Sequence, residues 1–392
     1  MSDGARPLFT RDFFLVSGVV FLAQVSAAAF FPFHEDLLSR GMTEQAAGFV
    51  IGVFSLAVLV VRIGVSPLLH AGNARRVSVA AVAATAAALL LYRAADGFLP
   101  LTFLRVGHGA AYAVLLTAVT ARFVAGIPEG RSAEAFGWMS VILLVPYALV
   151  PPLFAPVERA LGGFGPALAW LGVATLGALP LALLFRPVSA AGAPPAPTAA
   201  ELRENLRSGP VRLDLLLSLV VWSAYGAVFA FLNGWGIGAG IANPGLFLTV
   251  STAAEAGVRV AGGKLLDRVD KRKGLAVALA AISAGFVLLP RATGPAPFLG
   301  VAVVLGLSWG VAMPLLSGYL FDVSPPHLRP LNTNLGMAVF QAGFFVGPAL
   351  GGPFLQTGGY PLLFGGCAAL SAAGAAAAAF RPHPVPVPRR SP

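Results

Sequence analysis

Long apolar runs separated by short polar interruptions pattern this chain from near its first residue, and the runs exceed the elements of a water-facing core. A membrane-crossing helix needs about 20 apolar residues at about 1.5 Å each. Runs of that kind fall at 13–33, 46–69, 77–95, 99–123, 133–157 and 164–186, and again at 211–232, 245–266, 274–290, 297–321, 331–355 and 360–380. Between the two sets lies the one long polar break, a Pro/Ala-rich stretch at 188–210 (VSAAGAPPAPTAAELRENLRSGP). The pattern predicts an all-α membrane protein of twelve transmembrane helices. A six-helix bundle is expected over 1–187, a cytoplasmic linker over 188–210 and a second six-helix bundle over 211–392.

The two halves repeat one another. A shift that lays Gly48 on Gly245 also lays Arg62 on Arg259, Leu68-Leu69 on Leu265-Leu266 and Arg75-Arg76 on Arg272-Lys273. The same shift brings Gly109 onto Gly306 and Pro151 onto Pro348. One register held across several helices marks a duplication, and parallel repeats suit transporters that rock two bundles about a central site. Charge placement fits the map. Arg40, Arg93, Arg159 and Arg291 lie in loops on one side, and Arg62, Arg105 and Arg259 within helices; every other one of the 26 Lys and Arg residues lies on the opposite side. By the positive-inside rule that side is cytoplasmic and carries both termini.

Composition sharpens the class. Only 11% of the 392 residues are charged and 57% are hydrophobic, with mean hydropathy +0.82. A soluble domain carries about 25% charged residues. The net charge of +10 follows the loops rather than a basic face with interleaved aromatics, so no nucleic-acid partner is expected. The lone Cys367 forms no intrachain disulfide, and no Cys/His spacing suggests a metal. Arg6 and Arg11 before an apolar run imitate a signal peptide, but the run continues to Phe33 and reads as an uncleaved first helix. No Gly-x-x-x-x-Gly-Lys-Ser/Thr loop, His-Glu-x-x-His or Gly-x-Ser-x-Gly stands in the chain. Neither direct ATP drive nor a membrane enzyme is therefore expected, and no cofactor.

Several stretches resemble the major facilitator superfamily. Gly263, Asp267, Arg268, Lys271 and Arg272 match its loop signature Gly-x-x-x-Asp-Arg-x-Gly-Arg-Arg, with Asp270 in place of a glycine. The stretch Arg105-Val-Gly-His108-Gly109-Ala-Ala111 looks like its helix-4 signature. PEGRSAEAFGW (Pro128–Trp138) resembles its loop into helix 5, and GFFVGPALGG (Gly343–Gly352) resembles the Gly-Pro motif of its antiporter branch. That motif stands here in helix 11, while the helix-5 copy, VPYALVPPLF, keeps only Pro151. The first-half loop also departs from the pattern, with Pro67 for the glycine and His70 for the aspartate. The resemblance implies alternating access, with helices 1, 4, 7 and 10 lining a central cavity. It also implies loops that, in one conformation, latch onto the opposite half through Arg62, His70, Arg75 and Arg76 on one side and Asp267 with its basic neighbours on the other. An aspartate favours a helix N-terminus and a histidine does not, so the latch is expected to be strong at Asp267 and weak at His70.

Ionisable groups at membrane depth cost about 2.5–3.5 kcal/mol each on insertion scales and need a reason. Arg105, His108 and Tyr112 share one helical face. They suit anion or proton binding, the reading favoured for Arg105; the alternative is a buried arginine bonded to backbone carbonyls beside a packing histidine. Glu255 is the carboxylate nearest the middle of a span, and Arg259 follows one turn later, the favourable order for a helical ion pair. A carboxylate beside a cation suits proton carriage; a static pair would look the same, although Val58 at the equivalent place beside Arg62 sets Glu255 apart. Gln24, Trp222, Tyr225, Asn233, Trp309 and Gln341 are further candidates for the substrate path, or for glue between helices. His34, Glu35 and Asp36 read as a solvated loop, and Asp322 as structural. Gly343, Gly347 and Gly351, with Pro348, form a small-residue stripe for close helix packing.

Together these features predict a monomeric secondary transporter in the cell (plasma or inner) membrane. It would move a small organic solute by proton-coupled efflux, with proton-coupled uptake of a small, possibly anionic solute as the alternative.

Overall fold

The computed structural model describes residues 7–128, 131–186, 199–266 and 268–380. Apolar runs became helices because a helix satisfies every backbone polar group internally, the one open-chain solution inside lipid. In the first half these are α1 (Arg11–Ala28), the short α2 (Phe33–Ser39), α3 (Glu44–Val65), α4 (Ala74–Leu91), α5 (Phe98–Ala125), α6 (Ser132–Leu161), α7 (Phe164–Thr175) and α8 (Ala178–Leu183). A connecting helix α9 (Ala199–Arg207) precedes α10 (Gly209–Gly238), α11 (Leu246–Leu266), α12 (Lys271–Leu288), α13 (Pro295–Val323) and α14 (Arg329–Phe380). Local signals set several starts: Thr10 and Thr43 accept from Phe13 N and Ala46 N, and Asp270 accepts from Lys273 N, the capping that polar side chains supply at helix N-termini. Asn205 of α9 exchanges amide hydrogen bonds with Asn332 of α14, which donates in turn to Ser324, so the connector is docked on the second half.

Ten helices among the described residues are long and apolar enough to cross a membrane, where the sequence pattern predicts twelve. Two features account for the difference. α14 spans 52 residues, about 78 Å at helical rise and far longer than a bilayer, and counts once although it is two arms. Gly359 breaks it at φ 63°, ψ −168°, a conformation open to glycine, ahead of Pro361. The arms fold back on each other: a Cβ on Gly366 would meet the Phe354 ring. α11, 21 residues long, is not among the ten because Glu255 and Arg259 sit in its middle and lower its apolarity.

Call the end where α1 begins proximal and the other distal. At the distal end the halves are joined through α3 against α14 and α6 against α11. A Cβ on Gly48 would strike Pro348 O, and one on Gly245 would strike the Pro151–Pro152 peptide. These contacts exchange under the sequence repeat, since Gly48 corresponds to Gly245 and Pro151 to Pro348. Within the halves the repeat recurs: Gly109 lies against Phe54 O, and Gly306 against the equivalent Ser251 O. Prolines tighten the seam. Pro152 and Pro156 lack an N–H, which frees the carbonyls four residues earlier. Those carbonyls, Ala148 O and Pro152 O, accept from Thr249 Oγ1 (2.6 Å) and Asn243 Nδ2 (3.0 Å) of the other half.

Toward the proximal end α6 and α11 part around a cavity of about 420 Å³. The molecule is thus closed distally and open proximally. Its buried core follows the same division: one apolar cluster joins the second half to the distal part of the first, and another is confined to the proximal part of the first half.

Candidate functional site

Glu255 and Arg259 sit one turn apart on α11, and Arg259 Nη2 lies 2.5 Å from Glu255 Oε1. The carboxylate is buried, because Gly310 lets α13 approach the Glu255 backbone closely. Arg259 is about a quarter exposed and makes a second contact with Met313 Sδ at 3.2 Å. Its open face lines the proximal cavity with Trp138, Val141 and Leu144 of α6. A buried carboxylate held by a cation that also faces an open cavity can exchange partners: whatever draws Arg259 away leaves Glu255 needing a proton.

Aromatic side chains build a wall behind the pair. Tyr225 lies within electrostatic range of Glu255 and Arg259. Its ring packs 4.5 Å from Trp309 and 6.0 Å from Trp222, which meets Phe340 at 4.4 Å. Trp309 is fully buried, with its indole N–H unpaired among the described residues. Tyr147 of α6 reaches across to Phe229 of α10, ring centroids 5.7 Å apart.

Arg105 and His108 lie elsewhere. Arg105 donates to Ile51 O (3.0 Å) and Val50 O (3.4 Å), and its guanidinium stacks on Phe30, Phe54 and Phe33. His108 is buried beside Tyr92 (Nδ1 to Oη 3.3 Å) and the Phe30 and Phe54 rings. In this conformation backbone carbonyls and aromatic rings engage these two side chains, away from the proximal cavity. Tyr112 donates to Gln24, whose amide donates weakly to Leu143 O (3.5 Å), tying α1 to α5 and α6. Gln341 is buried in α14.

The loop residues are divided too. His70, Arg75, Arg76 and Arg268 are exposed and Arg62 is half-buried. His70 N donates to Asn73 Oδ1, within its own turn. Lys271 pairs with Asp322 at 2.6 Å, and buried Arg272 donates to Ala378 O. Both bind their own half in this conformation, in which the proximal ends stand apart; the cross-half contact the resemblance implies belongs to the conformation closed on that side. Gly263 lies in the last turns of α11, and Asp267 lies outside the described residues. Cβ atoms on Gly343, Gly347 and Gly351 would strike Trp222, Ser223 and Phe231 of α10. The stripe therefore packs within one half, as does the Pro348 ring against Gly226, while the Pro348 carbonyl meets the other half at Gly48.

One expectation is corrected at the distal end. His34, Glu35 and Asp36 do not form a solvated loop. They belong to α2, and His34 is buried against the Phe231 ring. His34 Nε2 lies 2.6 Å from Glu44 Oε2 and Nδ1 lies 3.3 Å from Glu35 Oε1, while Asn233 Nδ2 of the second half donates to Glu35 Oε2 at 2.8 Å. Polar residues after an apolar run read as a loop; the signal that could have located this cluster is Glu44, on the next helix.

Two helical bundles joined at one end and parted at the other, with an ion pair at the edge of the cavity, define a membrane transporter. The chain belongs to the Major Facilitator Superfamily, whose model matches residues 13–330 and 237–392, and it is an integral multi-pass membrane protein. It is 30% identical over 91 residues to the quinolone resistance protein NorA of Staphylococcus aureus (strain MRSA252), covering 23% of this chain and 24% of that protein. It is 27% identical over 166 residues to the staphylopine export protein of S. aureus (strain Mu50 / ATCC 700699), covering 41% and 40%. The chain thus spans about a quarter to two fifths of these relatives. In fold it is similar to a point mutant of the nucleoside transporter NupG, with TM-score 0.78 at 12% identity over 94% of this chain and 98% of the other. It is also similar to a bacterial homolog of the human lysosomal transporter Spinster in an inward-facing, unoccupied conformation, with TM-score 0.74 at 15% identity over 96% and 95%.

Proposed function

We propose that this chain is a proton-coupled exporter of a small organic solute. In this reading it crosses the cell membrane twelve times with both termini cytoplasmic, so the proximal cavity opens inward. The observation that carries the reading is the buried Glu255 held by Arg259 at the edge of that cavity. A solute that engages Arg259 from the cavity loosens the pair, and a proton on Glu255 compensates. The partly matching relatives named for quinolone resistance and staphylopine export support the outward direction. An anionic solute is favoured by the cationic face Arg259 presents, which also sustains uptake by proton symport as the second reading.

Flux in proteoliposomes tests the coupling. Glu255→Gln keeps the size of the side chain and removes its charge, so pH-driven flux should fall to the level of empty vesicles while solute exchange at equal pH persists. A pH-driven flux equal to the parent's in this variant would overturn the assignment. The same vesicles decide direction, from the sign of the gradient that drives accumulation.

A further inference from the structure

The distal seam holds a polar cluster that the coupling pair on α11 does not use. His34 of α2 is buried between two carboxylates, with Nδ1 facing Glu35 Oε1 (3.3 Å) and Nε2 facing Glu44 Oε2 (2.6 Å). A neutral imidazole has one N–H donor and one acceptor lone pair, and an ionised carboxylate only accepts. Two ionised carboxylates against a neutral ring would therefore leave a lone pair facing an anion. The arrangement closes its hydrogen bonds only when the three groups together hold one proton more, as imidazolium between two carboxylates or as a carboxylic acid donating to the ring.

That proton matters to the seam because Glu35 is also the link across it, accepting from Asn233 of α10 at 2.8 Å. The surroundings are otherwise poor in positive charge. α10 brings the Phe231 ring against His34 and glycine at 234; α14 brings Tyr360, whose hydroxyl and Glu35 Oε1 both crowd the place a Cβ on Gly234 would take. On α2, Asp36 is engaged by Arg40 at 2.9 Å, and Glu158 of α6 stands within electrostatic reach of Glu35 and Asp36. No group of three or more His, Cys, Asp or Glu side chains fit to hold a metal occurs among the described residues, so the ligand suited to this cluster is the proton. Glu35 and Glu44 are each about one quarter exposed while His34 is not, so the carboxylates connect the buried ring to the distal side.

We infer that His34, Glu35 and Glu44 form a proton-binding site that latches the distal ends of the two halves together. Binding one proton from the distal side completes the hydrogen bonds and holds Glu35 toward Asn233. Releasing it to the same side leaves a neutral ring between two carboxylates and opens the seam. Closure of the distal gate is then coupled to proton capture, independently of the events at Glu255. The inference rests on the alternating-access reading, and its test uses neither solute nor flux, so it fails or stands apart from the assignment of Glu255.

Spin labels at Ala94→Cys and Thr293→Cys, exposed positions in distal loops of the two halves, in a Cys367→Ala background, report the gap by pulsed electron resonance in nanodiscs. Burial alone would lower the His34 pKa, but Glu35 and Glu44 outweigh it and hold it at about 9. The short-distance population of the parent should therefore fall at least threefold between pH 7 and pH 10.5. Glu44→Gln should stay closed at both values, because an amide bonds a neutral imidazole without an added proton. His34→Gln should show no pH dependence. A parent whose distances are the same at both values, or a Glu44→Gln protein that keeps the parent's pH response, would overturn the inference; if His34→Gln does not fold, Glu44→Gln decides.

Discussion

Arg105 shows how much one buried charge can be given over to structure. Two backbone carbonyls of α3 and three phenyl rings surround its guanidinium. Cation–π contacts in a desolvated site contribute about 2 kcal/mol each. Arg105→Ala is therefore expected to destabilise the first half by several kcal/mol on that scale. Thermal unfolding in detergent should show a clear drop in midpoint, while flux per folded molecule stays within a fewfold of the parent. A variant with unchanged unfolding and abolished transport would restore Arg105 to the substrate path. Glu255 differs because its partner looks onto open space, and its substitution is read in coupling rather than in stability.

Close-packed glycines separate two roles among the elements. Gly347 lies on Ser223 of α10, so Gly347→Ala strains a contact inside one half, and overpacking of that kind costs about 1–3 kcal/mol. Lower thermal stability with unchanged access to the distal face is the expected result. Gly48 and Gly245 lie instead on Pro348 and Pro151 across the seam. Gly48→Ala and Gly245→Ala should each push the distal ends apart, lengthening the distance between spin labels at Ala94→Cys and Thr293→Cys with little change in unfolding midpoint. Their agreement is itself a test, since the two contacts are equivalents under the repeat.

At the scale of the whole molecule, the distal seam and the proximal cavity cannot both be open while the halves move as rigid bodies. Gln45 N donates to Gln356 Oε1 at 3.2 Å across the seam. A short bifunctional maleimide joining Gln45→Cys to Gln356→Cys, in a Cys367→Ala background, should arrest transport. Solute binding from the proximal side should survive it. Continued turnover after complete cross-linking would exclude rocking about the cavity. Internal ties suit each half to move as a unit in this reading: Arg122 to Asp12 in the first half, and Lys271 to Asp322 and Arg272 to Ala378 O in the second.

The sequence by itself determined the all-helical class, the positions of the apolar runs and the repeat. Lipid leaves the backbone one local solution, and Gly48, Pro151, Gly245 and Pro348 keep their register along the chain. It also singled out Glu255 beside Arg259, because a helical ion pair is a local pattern. Tertiary structure decided the rest. Arg105 reads as functional in a helix, and only the tertiary structure brings Phe30, Phe33 and Phe54 around it from two other segments. The glycine stripe on α14 does not say which helix it will meet. His34, Glu35 and Glu44 become a cluster only because α2 turns back onto α3, and only docking of the second half lays Asn233 and Phe231 against it. Hydrogen bonds between residues far apart in sequence depend on how helices pack, and no periodicity in the chain records that.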